Sequence, residues 1–169
     1  MAKHRTSARI ALGIIAIAAL FVGTDVGAAE KMSLPQSAVQ TVDGAPLSLD
    51  QASTTGQQVL IYVLPGSTVS RRLLDAIRGW ELPSPANVFI VVGGTRADAV
   101  AFAKVDEGLA SVRWLVDPDG AARTDLQVTG VPTLFGIRNG VIEWRLAGVL
   151  NDPEALRSIV TQWTSPVGR

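Results

Sequence analysis

From residue 38 onward, the apolar positions of the chain fall into runs whose spacing switches between that of a strand and that of a helix. Ala38 to Val42 alternates apolar and polar residues, and Asp43-Gly44 supplies a turn before residues 45–49, so a hairpin is predicted. Val59 to Leu64 is an unbroken apolar, β-branched run, the pattern of a strand covered on both faces, and Pro65-Gly66 stops it. Val69, Leu73, Leu74, Ile77 and Trp80 then recur at three-to-four spacing, which predicts a helix to about Trp80, capped by Ser67 or Thr68. Pro83 and Pro85 close that unit. Val88 to Val92 reads as a second central strand, residues 97–105 as a helix, and Val112 to Val116 as a third strand. The turn Asp117-Pro118-Asp119-Gly120 ends it, and residues 121–126 make one or two helical turns.

The last third has the sharpest signals. Residues 133–138 and 141–146 flank Asn139-Gly140, the dipeptide of a two-residue hairpin loop. Asp152-Pro153-Glu154 then supplies a cap, a first-position proline and an acidic first turn for a helix to about Trp163. Strands alternating with helices, ending in a hairpin and a helix, predict an α/β sandwich with a mixed central sheet flanked by helices. The expected organisation is one domain over residues 38–164, a polar Pro-containing linker at 30–37 and a short tail at 165–169.

Residues 1–29 follow a different pattern. Lys3, His4, Arg5 and Arg9 precede the apolar run Ile10 to Val22, and Gly27-Ala28-Ala29 follows. That is the layout of a secretory signal cut after Ala28 or Ala29. The alternative is membrane attachment through residues 10–22, although such a helix spans only about 20 Å of a hydrocarbon core of roughly 30 Å. Extending it to Ala29 would bury Asp25. Either way the expectation is an exported domain, periplasmic or held at the inner membrane facing the periplasm. Cleavage removes three of the 15 basic residues, one of the 15 acidic residues and the one histidine, leaving a net charge of about −2. No basic stripe is left to support nucleic-acid binding. With no cysteine in the chain, the domain has no disulfide and no lipid-anchoring thiol.

The order of elements resembles the exported redoxins of the TlpA/ResA type, in the thioredoxin-like superfamily, from Asp43-Gly44-Ala45-Pro46-Leu47 through Gln58 to Val63. The stretch VLIYVLPGSTVSRRLLDAI, Val59 to Ile77, is similar to methylamine-utilisation maturation proteins of the MauD type. There a strand leads into a proline, a CxxC pair, two basic residues and a Leu-Leu helix; here those positions hold Pro65, Ser67 and Ser70, Arg71 and Arg72, and Leu73 and Leu74. A second motif, Val128-Thr129-Gly130-Val131-Pro132-Thr133, resembles the V-x-G-V-P-T segment whose proline is cis and faces the active-site loop. The resemblance implies that Val131 offers its backbone to an extended substrate strand. The partner-binding expectation therefore falls on Pro65, Ser67, Thr68, Ser70, Val131 and Pro132, with a protein or extended peptide as partner. It further implies a role in assembly or maturation of a periplasmic protein or complex.

The departure from that family decides what is absent. Thiol–disulfide exchange needs a thiolate, and a serine hydroxyl is neither ionised near neutral pH nor able to form a mixed disulfide. The peroxidatic motif P-x-x-x-T-x-x-C is also missing. Serine nucleophile chemistry would need a base, and after the expected cleavage no histidine is left and only the amines Lys31 and Lys104 are available, in no Ser-Lys motif. Arg71, Arg72 and Arg78 could form an anion or partner patch, but Asp75 sits at helical spacing to pair with Arg71 and Arg72. Asp117, Asp119 and Asp125 do not make a calcium loop, because Val128 stands where the bidentate Glu belongs. Gly93-Gly94 is not a phosphate loop. No cofactor is expected. Two alternatives to partner binding stay open: a membrane-anchored structural subunit of a respiratory or dehydrogenase complex, and a redoxin-family oxidoreductase relative with non-thiol chemistry.

Overall fold

All five residues from Val59 to Val63 are fully buried, as an unbroken apolar strand requires. The computed structural model describes residues 32–165 apart from Thr54, Glu81, Pro83, residues 106–108, Ala110 and residues 149–151. The expected leader, residues 30 and 31, and residues 166–169 lie outside the described residues. The strands are β1 (Met32–Ser33), β2 (Ala38–Thr41), β3 (Pro46–Ser48), β4 (Gln57–Val63), β5 (Val88–Gly93), β6 (Arg113–Asp117), β7 (Thr133–Arg138) and β8 (Val141–Ala147). The helices are α1 (Leu49–Ala52), α2 (Thr68–Arg78), α3 (Arg96–Val105), α4 (Ala121–Asp125) and α5 (Pro153–Thr164).

The strands form one mixed sheet of order β1-β8-β7-β4-β5-β6-β2-β3. β4, β5 and β6 are parallel, and β7 runs antiparallel to β4 with Tyr62 opposite Thr133. Period-two alternation sends Val59, Ile61 and Val63 to one face, where they pack with Leu73, Leu74 and Ile77 of α2, Phe102 of α3 and Leu156 and Val160 of α5. Leu60 and Tyr62 point to the other face, against Leu49 of α1 and Ala122 of α4. Burying each large apolar side chain in these layers contributes about 1.5–3 kcal/mol.

The predicted elements are present with ends shifted by a residue or two, and the α/β sandwich with a mixed sheet is the observed architecture. Asn139 and Gly140 have φ of 50° and 77°, the left-handed pair that a two-residue hairpin loop demands. Two local expectations are corrected. Residues 45–49 do not form one strand: β3 ends at Ser48, and Leu49 opens α1 with its side chain fully buried. Residues 30–37 are not simply a linker. Met32 and Ser33 pair with Ile142 and Val141, and the Leu34 amide donates to the Gly140 carbonyl at 2.8 Å. Leu34 is buried, and the buried Ser37 hydroxyl donates to Asp125 Oδ2 at 2.6 Å. Local composition reads this stretch as polar; its order comes from an unpaired edge of β8 and an apolar recess under Leu34.

Candidate functional site

The loop after β4 and the loop before β7 lie at the same end of the sheet, because the Tyr62–Thr133 register places the end of one strand beside the start of the other. In the first loop the Ser67 amide donates to the Leu64 carbonyl at 3.1 Å, closing a turn over Pro65 and Gly66. Ser67 is the N-cap of α2, its Oγ accepting from the Ser70 amide at 3.1 Å. Ser70 is fully buried, and its Oγ accepts from the Leu64 amide at 3.3 Å. The two hydroxyls thus tie the strand end to the first turn of the helix.

In the second loop the Val131–Pro132 peptide bond is cis. Pro132 is buried, and its carbonyl accepts from the Gly148 amide at 3.0 Å. Thr133 Oγ1 donates to the Gly130 carbonyl at 2.5 Å. Of the six expected site residues, Thr68 is exposed, Pro65, Ser67 and Val131 are half-buried, and Ser70 and Pro132 face inward. The surface at this end is therefore carried by Pro65, Gly66, Ser67, Thr68 and Val131, with Ser70 and Pro132 as its support.

Beneath it lies a network that the sequence pattern did not reveal. The buried Tyr62 hydroxyl donates to Asp117 Oδ2 at 2.8 Å, and Asp117 also accepts from the amides of Ala122 and Arg123 at 3.1 and 2.9 Å. Burial, and then the bond to Asp117, push the Tyr62 phenol well above the ordinary tyrosine range, so it is a fixed donor. Gly93 has Tyr62 directly over its α-carbon, and Gly94 abuts Pro65, with its amide on the Asp117 carbonyl at 3.2 Å. Asp117 reads in the sequence as a turn residue; the signal for its burial is that it directly continues the apolar run Val112 to Val116. With its carboxylate committed to Tyr62 and α4, and Asp125 committed to Ser37, these acids are held by the protein itself.

The arginines of α2 are arranged differently from the spacing argument. Asp75 pairs with Arg78 at 3.2 Å, and Arg71 lies over the Phe102 ring at 5.4 Å. The third-or-fourth-residue rule permits several partners, and the packing of α2 on α3 selects among them. Lys31 and the Lys104 side chain lie outside the described residues.

The overall fold is shared with solved structures. A putative thiol:disulfide interchange protein DsbE from Chlorobium tepidum superimposes with a TM-score of 0.61 at 20% identity, covering 80% of this chain and 97% of that one. This chain has a thioredoxin-like fold. A secreted Mycobacterium tuberculosis disulfide oxidoreductase homologous to E. coli DsbE superimposes on the same thioredoxin-like domain with a TM-score of 0.57 at 18% identity, covering 75% and 96%. In sequence, the domain is 26% identical over 141 residues to methylamine utilization protein MauD of Methylobacillus flagellatus. That alignment covers 81% of this chain and 63% of the length of MauD, so just under two thirds of the relative is represented. No protein-family model matches the chain. The thioredoxin-like domain carries no cysteine, and thiol–disulfide exchange through its own sulfur is chemically closed to it. Among the described residues, no helix is long and apolar enough to cross a membrane.

Proposed function

We propose that this thioredoxin-like domain acts by binding: it holds an extended segment of a protein partner against Thr68, Ser67, Pro65 and Val131, in the assembly or maturation of an exported protein. The observation that carries this reading is the use made of the two serines. Each hydroxyl accepts from a backbone amide and so holds the loop against the helix, which fixes the shape of a loop that has no thiol. A loop kept in shape without a reactive atom offers a fixed surface, and a preorganised surface loses little entropy on binding. The similarity to methylamine utilization protein MauD, taken with the MauD-type resemblance of Val59 to Ile77, supports a maturation context.

The test is site-specific photocrosslinking in the native host, with the crosslinker at exposed Thr68 and, as control, at exposed Gln162 on α5. One dominant partner captured from position 68 and not from 162 is expected, with capture lost on competition by an extended peptide from that partner. Equal capture from both positions, or none from 68, would sink the binding reading. Turnover by the purified domain without added thiols would favour the non-thiol enzyme reading instead.

A further inference from the structure

At the pole of the sheet opposite the serine loop, the last turn of α5, the β7–β8 turn and the starts of β4 and β5 enclose a cleft of about 300 Å³. This is the small end of the range of about 300–1,000 Å³ for ligand sites. Arg138 is the one ionisable side chain in its described lining, which otherwise offers amides and hydroxyls, including Gln57, Asn87 and Ser84.

Arg138 is held from two sides. Its Nε donates to Glu143 Oε1 at 2.9 Å, and its guanidinium sits 4.9 Å from the centroid of the Trp163 ring. Trp163 is itself fixed, donating from its indole nitrogen to the Gln58 carbonyl at 2.9 Å and meeting Trp144 edge-on at 5.6 Å. Among the described residues, nothing accepts from the two Nη nitrogens, and the side chains of Gln57, Asn87 and Ser84 have no hydrogen-bond partner. The guanidinium fork is thus oriented but only partly used.

Glu143 and the carbonyl end of α5 offset much of the positive field. Selection then rests on the planar fork together with the reduced field: the fork pairs with the two oxygens of one carboxylate, whose single charge meets less opposition from Glu143 than the double charge of a tetrahedral dianion. We propose that this cleft binds the carboxylate of a small acidic ligand, with Arg138 as the bidentate donor and Asn87, Gln57 and Ser84 available to its remaining polar atoms. The carboxylate comes from a free dicarboxylate or from an acidic side chain of a peptide. This site is separate from the serine loop, and its fate is independent of the binding reading given above.

The experiment is an NMR titration of the isotope-labelled protein, as purified from its host, with succinate, with an N-acetyl-aspartyl peptide amide and with sulfate at matched ionic strength. Saturable shifts of the Trp163 indole N–H and the Gly56 and Asn139 amides are expected, with Kd on the order of 1 mM. Arg138→Gln should weaken binding by about tenfold or more. Should that variant lose its native spectrum, Asn87→Asp sets a like charge on the lining, leaves Arg138 in place and must give the same loss. Tighter succinate binding supports a free acid as ligand, and tighter peptide binding supports a protein-borne one. Shifts that never saturate, shifts unchanged in these variants, or equal response to sulfate overturn the proposal.

Discussion

The Tyr62 hydroxyl and Asp117 Oδ2, fifty-five residues apart in the chain, lie 2.8 Å from each other in the interior, beneath the turn that carries Pro65. The phenol of β4 thereby fixes the end of β6, and the end of β6 holds Gly94 against Pro65. A buried carboxylate needs every donor it can find, and this one takes two backbone amides and one hydroxyl.

Tyr62 is the single tyrosine of the chain, so phenolate absorbance reports it alone. Folding favours the protonated phenol, so above the ordinary value of about 10 the folded chain binds more protons than the unfolded one, and stability falls as pH rises. Below that pH the contribution is complete. The expected result is no phenolate signal from folded protein just above pH 10, with the signal appearing together with unfolding. Tyr62→Phe should cost about 1–3 kcal/mol near neutral pH, by leaving Asp117 short of a donor, and should flatten the alkaline loss. A free titration near 10 in folded protein would contradict the buried bond.

Ser67→Ala removes the α2 cap and should lower stability by about 0.5–2 kcal/mol in denaturant unfolding. The double variant Ser67→Cys/Ser70→Cys puts thiols at the cap and on the first buried turn. It should form an intrachain disulfide and, with dithiothreitol as electron donor, catalyse insulin reduction, with the position-67 thiol titrating below about 8.5. The unaltered chain should show no such activity. A well-folded double variant without a disulfide would mean that the loop has lost the geometry its resemblance implies.

Gly136 lies under the Trp144 ring so closely that no β-carbon can be added without moving the indole. Trp144 in turn meets Trp163 at an interplanar angle of 80°. Gly136→Ala should therefore destabilise by about 1–3 kcal/mol and reduce the near-UV circular dichroism of the tryptophan pair. An unchanged near-UV spectrum would show that the indole has another place to go.

Leu34 separates the linker expectation from the observed edge strand. It is 5% exposed and precedes the buried Ser37, so Leu34→Ala should cost about 2–5 kcal/mol in chemical denaturation. A true linker position would show a change within about 0.5 kcal/mol.

What the sequence alone determined was everything set by near neighbours and by residue chemistry. Buried strands follow from apolar runs such as Val59 to Val63, the hairpin from Asn139-Gly140, the α5 cap from Asp152, and the α2 cap from Ser67 or Thr68, between which the structure chooses Ser67. The absence of sulfur chemistry follows from Cys having a count of zero. Two motifs picked out the six expected site residues, but not which of them face outward. The tertiary structure decided that Ser70 and Pro132 turn inward, that Asp117 serves Tyr62, that Met32–Ser33 completes a sheet edge, and that Arg138 and Trp163 meet over a cleft. The physical reason is range. Caps, turns and periodicity act over a few residues, whereas burial and polar pairing depend on contacts between residues 55 to 105 positions apart, whose partners no local pattern names.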